Sequence, residues 1–339
     1  MSIRIAVDIM GGDAHFSVLA AGALEAAREC GAELIFVGTE EAKKELSQTI
    51  NGCEFVTAGS VVEMTDEPSA VNKEKSDSTV VKAVNLCRDG IADAVVSCGN
   101  TGALFTAASL NVRRIKGVRR AALATVVPLE KPFVLLDCGA NLDATPEIMC
   151  LYAKMGAIYA ENALGISDPR VALVNNGVEI HKGTPLYRDT FTALSNEPGI
   201  NFVGNCEGKS IPFGECDVLV CDGFTGNIIL KLVEGMACFM SKTLRQLLTG
   251  NPASAVAGML TKKRTARLKK ALDPAEYGGA PFLGLAKPVI KAHGGSDSHA
   301  FCSAVKQAVV YSQSRVIEKI ARAMAKEKNN EEDPENAGN

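Results

Sequence analysis

The 339-residue chain has no tryptophan and only 5% aromatic residues. Stacked aromatic platforms for single-stranded nucleic acid therefore have little to be built from. A formal net charge of −3 leaves no general basic footprint, so no nucleic-acid partner is expected. The four histidines, His15, His181, His293 and His299, form no His-x-x-x-His pair, and none of the eleven cysteines stands in a Cys-x-x-Cys pair. Zinc-site spacing is missing, and neither a metal nor another cofactor is expected. There is no Gly-x-Ser-x-Gly elbow and no Gly-x-Gly-x-x-Gly fingerprint, which argues against a serine hydrolase and against nicotinamide chemistry. No apolar run approaches the length needed to span a bilayer. The start, Met1-Ser2-Ile3-Arg4-Ile5, enters a strand pattern with no signal-peptide core. Cysteines such as Cys98, Cys138, Cys150 and Cys238 lie in apolar segments and are expected to be buried free thiols of a reducing cytoplasm.

What remains is a composition able to bury a large core, 47% hydrophobic and 22% charged. Short apolar runs at 3–7, 34–37, 94–97, 123–127, 133–136, 171–174 and 218–221 are nearly free of charge, as strands buried on both faces are. Helical patterns at 18–30, 80–88, 147–164 and 228–248 lie between them. Alternation of this kind predicts a three-layer α/β/α sandwich with a mostly parallel, Rossmann-like sheet. We expect one α/β domain over 1–327, a helical excursion at about 250–272, and a disordered polar tail from 328 to 339.

Four strand ends carry small polar residues: Asp8-Ile9-Met10-Gly11-Gly12-Asp13, Ser97-Cys98-Gly99-Asn100-Thr101-Gly102, Asp137-Cys138-Gly139-Ala140-Asn141 and Asp222-Gly223-Phe224-Thr225-Gly226-Asn227. A strand that enters a helix through glycines lets backbone N–H groups approach an anion, and the helix N-terminus favours negative charge. The expectation is one polar cleft at the carboxyl edge of a parallel sheet.

These motifs, together with Gly204-Asn205-Cys206-Glu207, Glu276-Tyr277-Gly278-Gly279-Ala280-Pro281 and Lys291-Ala292-His293-Gly294, resemble the phosphate acyltransferases of bacterial phospholipid synthesis. The ordered matches run from residue 3 to about 310. The chain departs from the family pattern at Ala14-His15-Phe16, where the family has His-Ala-Pro, and carries fewer bases around Asn72 to Lys75. The resemblance implies an isopropylmalate-dehydrogenase-like fold and reversible transfer of a fatty acyl group from acyl carrier protein to inorganic phosphate, giving acyl phosphate. Such a reaction needs an anion cradle, a cation and donors for the oxyanion rather than a Ser-His-Asp triad.

On that basis Asn100, Lys182 and Asn227 are the expected catalytic residues. Asp8, Gly11, Gly12, Asp13, Gly99, Thr101, Gly102, Asn141, Asp222, Thr225, Gly226, Lys231 and His293 are expected to line the phosphate and substrate site. Met259, Leu260, Lys262, Lys263, Arg264 and Arg267 separate apolar from basic character along the excursion, which suits contact with the acidic carrier or with an anionic membrane surface. The resemblance further implies a homodimer, a cytoplasmic protein with peripheral contact at the inner face of the cell membrane, and a membrane glycerol-3-phosphate acyltransferase downstream. Two other readings stand beside it: a short-chain phosphate acyltransferase that uses acyl-CoA, and a non-catalytic scaffold that binds acyl carrier or lipid.

Overall fold

The computed structural model describes residues 2–129, 131–250, 261 and 278–332. Its strands are β1 (Arg4–Asp8), β2 (Glu33–Gly38), β3 (Glu54–Thr57), β4 (Ala94–Ser97), β5 (Ala122–Val127), β6 (Phe133–Leu136), β7 (Arg170–Asn175), β8 (Asn201–Glu207), β9 (Val218–Val220), β10 (Ala280–Leu283) and β11 (Val289–Lys291). They form one sheet in the order β3-β2-β1-β4-β11-β10-β5-β6-β9-β7-β8. The helices are α1 (Phe16–Cys30), α2 (Glu40–Leu46), α3 (Thr79–Arg88), α4 (Thr101–Asn111), α5 (Pro146–Ala163), α6 (Pro185–Ser195), α7 (Gly223–Thr249), α8 (Ser298–Gln313) and α9 (Val316–Glu332).

Side chains of a strand alternate between faces, and here both faces are covered. Ile5, Val7, Ala94, Val96, Val134 and Leu136 pack with α1, α5, α8 and α9. Their neighbours Ala6, Val95, Phe133 and Leu135 pack with α3, α4 and α7 on the other side. The three expected layers are present.

The sheet is mostly parallel, with seven parallel pairings, but three antiparallel ones stand in a row at β11-β10, β10-β5 and β5-β6. An odd number of reversals turns the second half around. The carboxyl ends of β1, β4 and β11 therefore face one edge, and those of β6, β9 and β7 face the other. The expectation of a single carboxyl edge bearing all four motifs is corrected.

Helix α7 begins at Gly223, five residues before the expected start, because the Asp222 carboxylate accepts the Thr225 N–H at 2.9 Å and caps the chain there. With 27 residues, α7 is also long and apolar enough to cross a membrane by length and composition. The expectation that no segment reaches that length is corrected; the run was hidden by Lys231 and Glu234, which interrupt it. Helix α9 continues to Glu332, past the expected start of the tail. Eight cysteines are buried, but Cys30 and Cys238 are exposed and Cys53 is partly so, since Cys238 lies on the outer side of α7. Apart from residues 250 and 261, the excursion, with Met259, Leu260, Lys262, Lys263, Arg264 and Arg267, lies outside the described residues.

Candidate active site

The loops after β1, β4 and β11 close on one another at the first edge. Gly11 has φ of +75°, a backbone that glycine tolerates, and a Cβ there would lie 2.9 Å from the Val62 carbonyl oxygen and 3.3 Å from the Gly99 Cα. A Cβ on Gly12 would meet the Cys98 Sγ at 2.6 Å and the Gly294 carbonyl oxygen at 3.1 Å. The Asp13 N–H donates to that same Gly294 oxygen at 2.9 Å. The segment after β3 straps over the cradle: Asn100 Nδ2 donates to the carbonyls of Met64 and Asp66, each at 3.1 Å, and its Oδ1 accepts the Ala103 N–H at 3.0 Å as the cap of α4. The N–H groups of Thr101 and Gly102, in the first turn of α4, have no carbonyl within the helix to bond. That of Gly99 is taken by Ser97 Oγ at 3.2 Å.

Beneath the cradle Asp8, Ser97 and Lys291 stand side by side on adjacent strands. Ser97 donates to Asp8 Oδ2 at 2.7 Å, and the Met10 N–H reaches Asp8 Oδ1 at 3.1 Å. Burial pushes the Asp8 carboxyl up to about 6 against these hydrogen bonds. Lys291, 8% exposed, donates to the carbonyls of Cys98 at 3.2 Å and Ala292. Burial lowers its ammonium to about 8, and the nearby Lys231 pushes the same way.

Helix α7 joins the two edges. Eleven residues separate Gly223 from Glu234, about 16 Å of helix, roughly the length of a five-residue strand. Lys231 Nζ pairs with Glu234 Oε2 at 2.8 Å, and His293 Nε2 stands 4.0 Å from the same oxygen. The Gly295 N–H donates to His293 Nδ1 at 3.1 Å, so in the neutral ring the proton sits on Nε2, toward α7. Desolvation, then Lys231, holds the imidazole below the usual histidine range.

The second edge is built differently. Asp137, wholly buried, accepts N–H groups from Leu123, Gly139 and Ala140 on Oδ1 and from Asn141 on Oδ2, at 2.7–3.1 Å. Asn141 Nδ2 is spent on the Ala121 carbonyl at 2.7 Å and on Asp137 at 2.9 Å. The Gly223 N–H goes to Asn141 O at 3.0 Å. Asp222 also accepts Thr225 Oγ1 at 2.8 Å and Tyr187 OH. Two carboxylates already occupy this helix end, so the expectation that Asp222, Thr225 and Gly226 line the same cleft as Gly99 to Gly102 is corrected.

The structure thus brings Asp8, Gly11, Gly12, Asp13, Gly99, Asn100, Thr101, Gly102, Lys231 and His293 to one edge. Asn141, Asp222, Thr225 and Gly226 serve the other. Asn100 and Asn141 are not free oxyanion donors, since their amides hold backbone carbonyls. The Asn227 side chain is exposed and lies over Gly139. Lys182, half-buried, runs along Gly177 while its carbonyl accepts Asn175 Nδ2 at 3.2 Å; it belongs to the β7 edge, away from the cradle. Lys291 and Glu234 were missed as site residues. A lysine ending the run Val289-Ile290 just before His293-Gly294-Gly295 was the available signal for the first.

An α/β fold that gathers glycine loops, a lysine and a histidine held below its usual range at one sheet edge is suited to an anionic substrate. The family profile described as "Fatty acid synthesis protein" matches residues 3–319. A phosphate acyltransferase of Brevibacillus brevis is 43% identical over 329 residues, covering 96% of this chain and 98% of the relative. One from Desulfitobacterium hafniense is 41% identical over 327 residues, covering 95% and 98%. In fold, a phosphotransacetylase from Streptococcus pyogenes aligns with TM-score 0.61 at 17% identity, covering 92% of this chain and 94% of that one. A branched-chain phosphotransacylase from Enterococcus faecalis aligns with TM-score 0.57 at 16% identity, covering 92% and 99%. The chain belongs to the phosphate acyltransferase family of fatty acid and phospholipid synthesis.

Proposed function

We propose that the protein transfers a long fatty acyl group, reversibly, from the thioester of acyl carrier protein to inorganic phosphate. The cradle carries this reading: backbone N–H groups of Gly11, Gly12, Thr101 and Gly102 suit phosphate, and Lys231 with the His293 Nε2–H stands at its mouth. A phosphate oxygen attacks the thioester carbonyl carbon, the C–O bond forms, the C–S bond breaks, and the thiolate leaves with the proton that phosphate gives up. His293, as a neutral donor, suits the developing oxyanion. Incubation with palmitoyl acyl carrier protein tests this. Thioester loss is expected only with phosphate present, and hydroxylamine is expected to trap the product as hydroxamate. Equal turnover of short acyl-CoA would favour the short-chain reading, and carrier binding without turnover the scaffold.

The product, an acyl phosphate, would pass to a membrane glycerol-3-phosphate acyltransferase, which suits a cytoplasmic protein with peripheral membrane contact. Helix α7 exposes Phe224, Ile228, Leu232, Met236, Phe239 and Met240 at spacings of three and four residues, one continuous apolar stripe. We assign this stripe to a second copy of the chain, and the membrane contact to Met259 and Leu260. Two double variants separate these roles. Leu232→Asp with Phe239→Asp is expected to sediment as a monomer that still pellets with anionic vesicles, whereas Met259→Glu with Leu260→Glu stays dimeric and no longer pellets. The reverse pattern would exchange the two assignments.

A further inference from the structure

We propose that Lys291 is a positioning residue for phosphate, a buried cation that holds two loops of the cradle from below without touching the substrate. This rests on the phosphate-transfer reading and adds to it a residue that reaction does not otherwise use. The ammonium grips the carbonyls of Cys98 and Ala292, the last residues before the loops 99–102 and 293–295. A trans peptide carries its N–H opposite its C=O, so drawing the Ala292 oxygen inward turns the His293 N–H away from the ammonium. The same grip fixes where Gly99 departs from β4, and with it the start of α4. Lys291 thus couples the two loops that carry donors on either side of the bound anion.

Its surroundings favour a functional charge over simple packing. A lysine that only filled space would be more stable as an apolar residue of similar length, since burying an ammonium is costly. From the elements packed around it, Asp8 and Asp13, Cys98, Lys231 and the neighbouring His293 all act on it or feel its charge. Two carboxylates support the positive form; Lys231 and burial oppose it. The balance lowers the ammonium to about 8, so its charge under the cradle is lost as the solution turns mildly alkaline. Inorganic phosphate only gains dianion character as the pH rises through that range, which favours its binding to a cation, so a weakening of phosphate binding there reports on the protein.

Kinetics with phosphate and acyl carrier protein varied separately, from about pH 7.5 to about pH 9.5, test the proposal. Lys291→Met is expected to raise the phosphate KM at least about tenfold, with the acyl-donor KM changed less than about twofold. In the unaltered protein the phosphate KM is expected to climb above about pH 8, and Lys291→Met is expected to lack that climb. Lys291→Arg keeps a charge that does not titrate there, so its phosphate KM is expected to stay flat with pH. A phosphate KM that is unmoved by Lys291→Met, or that rises together with the donor KM, overturns the proposal. If Lys291→Met does not fold, a flat phosphate profile in the unaltered protein overturns it alone. Calorimetric titration with phosphate keeps the two readings apart. Absence of turnover in the unaltered protein defeats the transfer reading, while the ratio of phosphate affinities between it and Lys291→Met still decides the role of Lys291.

Discussion

Gly226→Ala is expected to destabilise the fold by at least about 3 kcal/mol, although alanine is the better helix former by about 1 kcal/mol. The two effects have opposite signs, and geometry decides between them. Gly226 sits in the first turn of α7, where a Cβ would lie 1.8 Å from the Asp137 carbonyl oxygen and 2.9 Å from the Cys221 Sγ. Those contacts come from backbone and from a wholly buried thiol, so nothing at the end of a flexible side chain can move aside. The helix would have to lift from the loop after β6. That movement would pull the Gly223 N–H from Asn141 O, at 3.0 Å, and disturb the shell of N–H groups around the buried Asp137. Overpacking alone costs about 1–3 kcal/mol, and exposing or half-satisfying a buried carboxylate adds to it. Urea denaturation with an unchanged slope and a much lower midpoint is the expected record. A gain in stability would mean that α7 does not approach β6 this closely. Because α7 also carries Lys231 and Glu234 to the first edge, activity is expected to fall further than the loss of folded protein explains.

Much of this architecture was legible. Runs such as Ala94-Val95-Val96 and Phe133-Val134-Leu135-Leu136 have no polar face, so they could only be central strands, and the helices between them fix three layers. Strand direction was the part left unread, because an apolar run looks the same in either sense. The information was nevertheless present in the spacing: β5 ends at Val127 and β6 starts at Phe133. Five residues cannot carry a parallel crossover, which needs a dozen or more, so that pair had to be antiparallel. Strands β10 and β11, at four and three residues, are too short for periodicity to register, and Lys291 was missed as a site residue with them. The glycine loops at strand ends were expected at one edge and stand at two, because the same letters serve two tasks. Around Gly11, Gly12 and Gly102 they line the cradle proposed to take phosphate; around Gly139 and Gly223 they wrap the protein's own Asp137. Asparagine was the least transparent residue type, since Asn100 and Asn141 use their amides to hold backbone carbonyls that only the folded chain brings near.

Asp8→Asn is expected to stabilise the folded protein at about pH 7.5, by as much as about 3 kcal/mol. Burial raises the carboxyl from its ordinary value of 3.8 to about 6 in the fold, which corresponds to about 3 kcal/mol. Burial is the main cause, only partly offset by the hydrogen bonds from Ser97 and Met10. A raised carboxyl favours folding in its protonated form. The associated stability is fully present below about pH 4, is lost as the pH rises through about 6, and is absent at pH 7.5, where the ionised group opposes folding. An amide at this position does not titrate. It can still accept the Ser97 hydroxyl or the Met10 N–H, though with one oxygen in place of two, so part of the gain is given back. Thermal or urea unfolding across the range is expected to show the variant ahead at pH 7.5, the gap narrowing through about pH 6 and closed near pH 4. A constant gap at every pH would mean that Asp8 is not the group that titrates. The buried charge stands in the row Asp8–Ser97–Lys291 beneath the cradle. Neutralising Asp8 removes one of the two carboxylates that support the Lys291 ammonium, so the more stable variant is expected to lose the Lys291 charge at lower pH and to bind phosphate more weakly above neutrality.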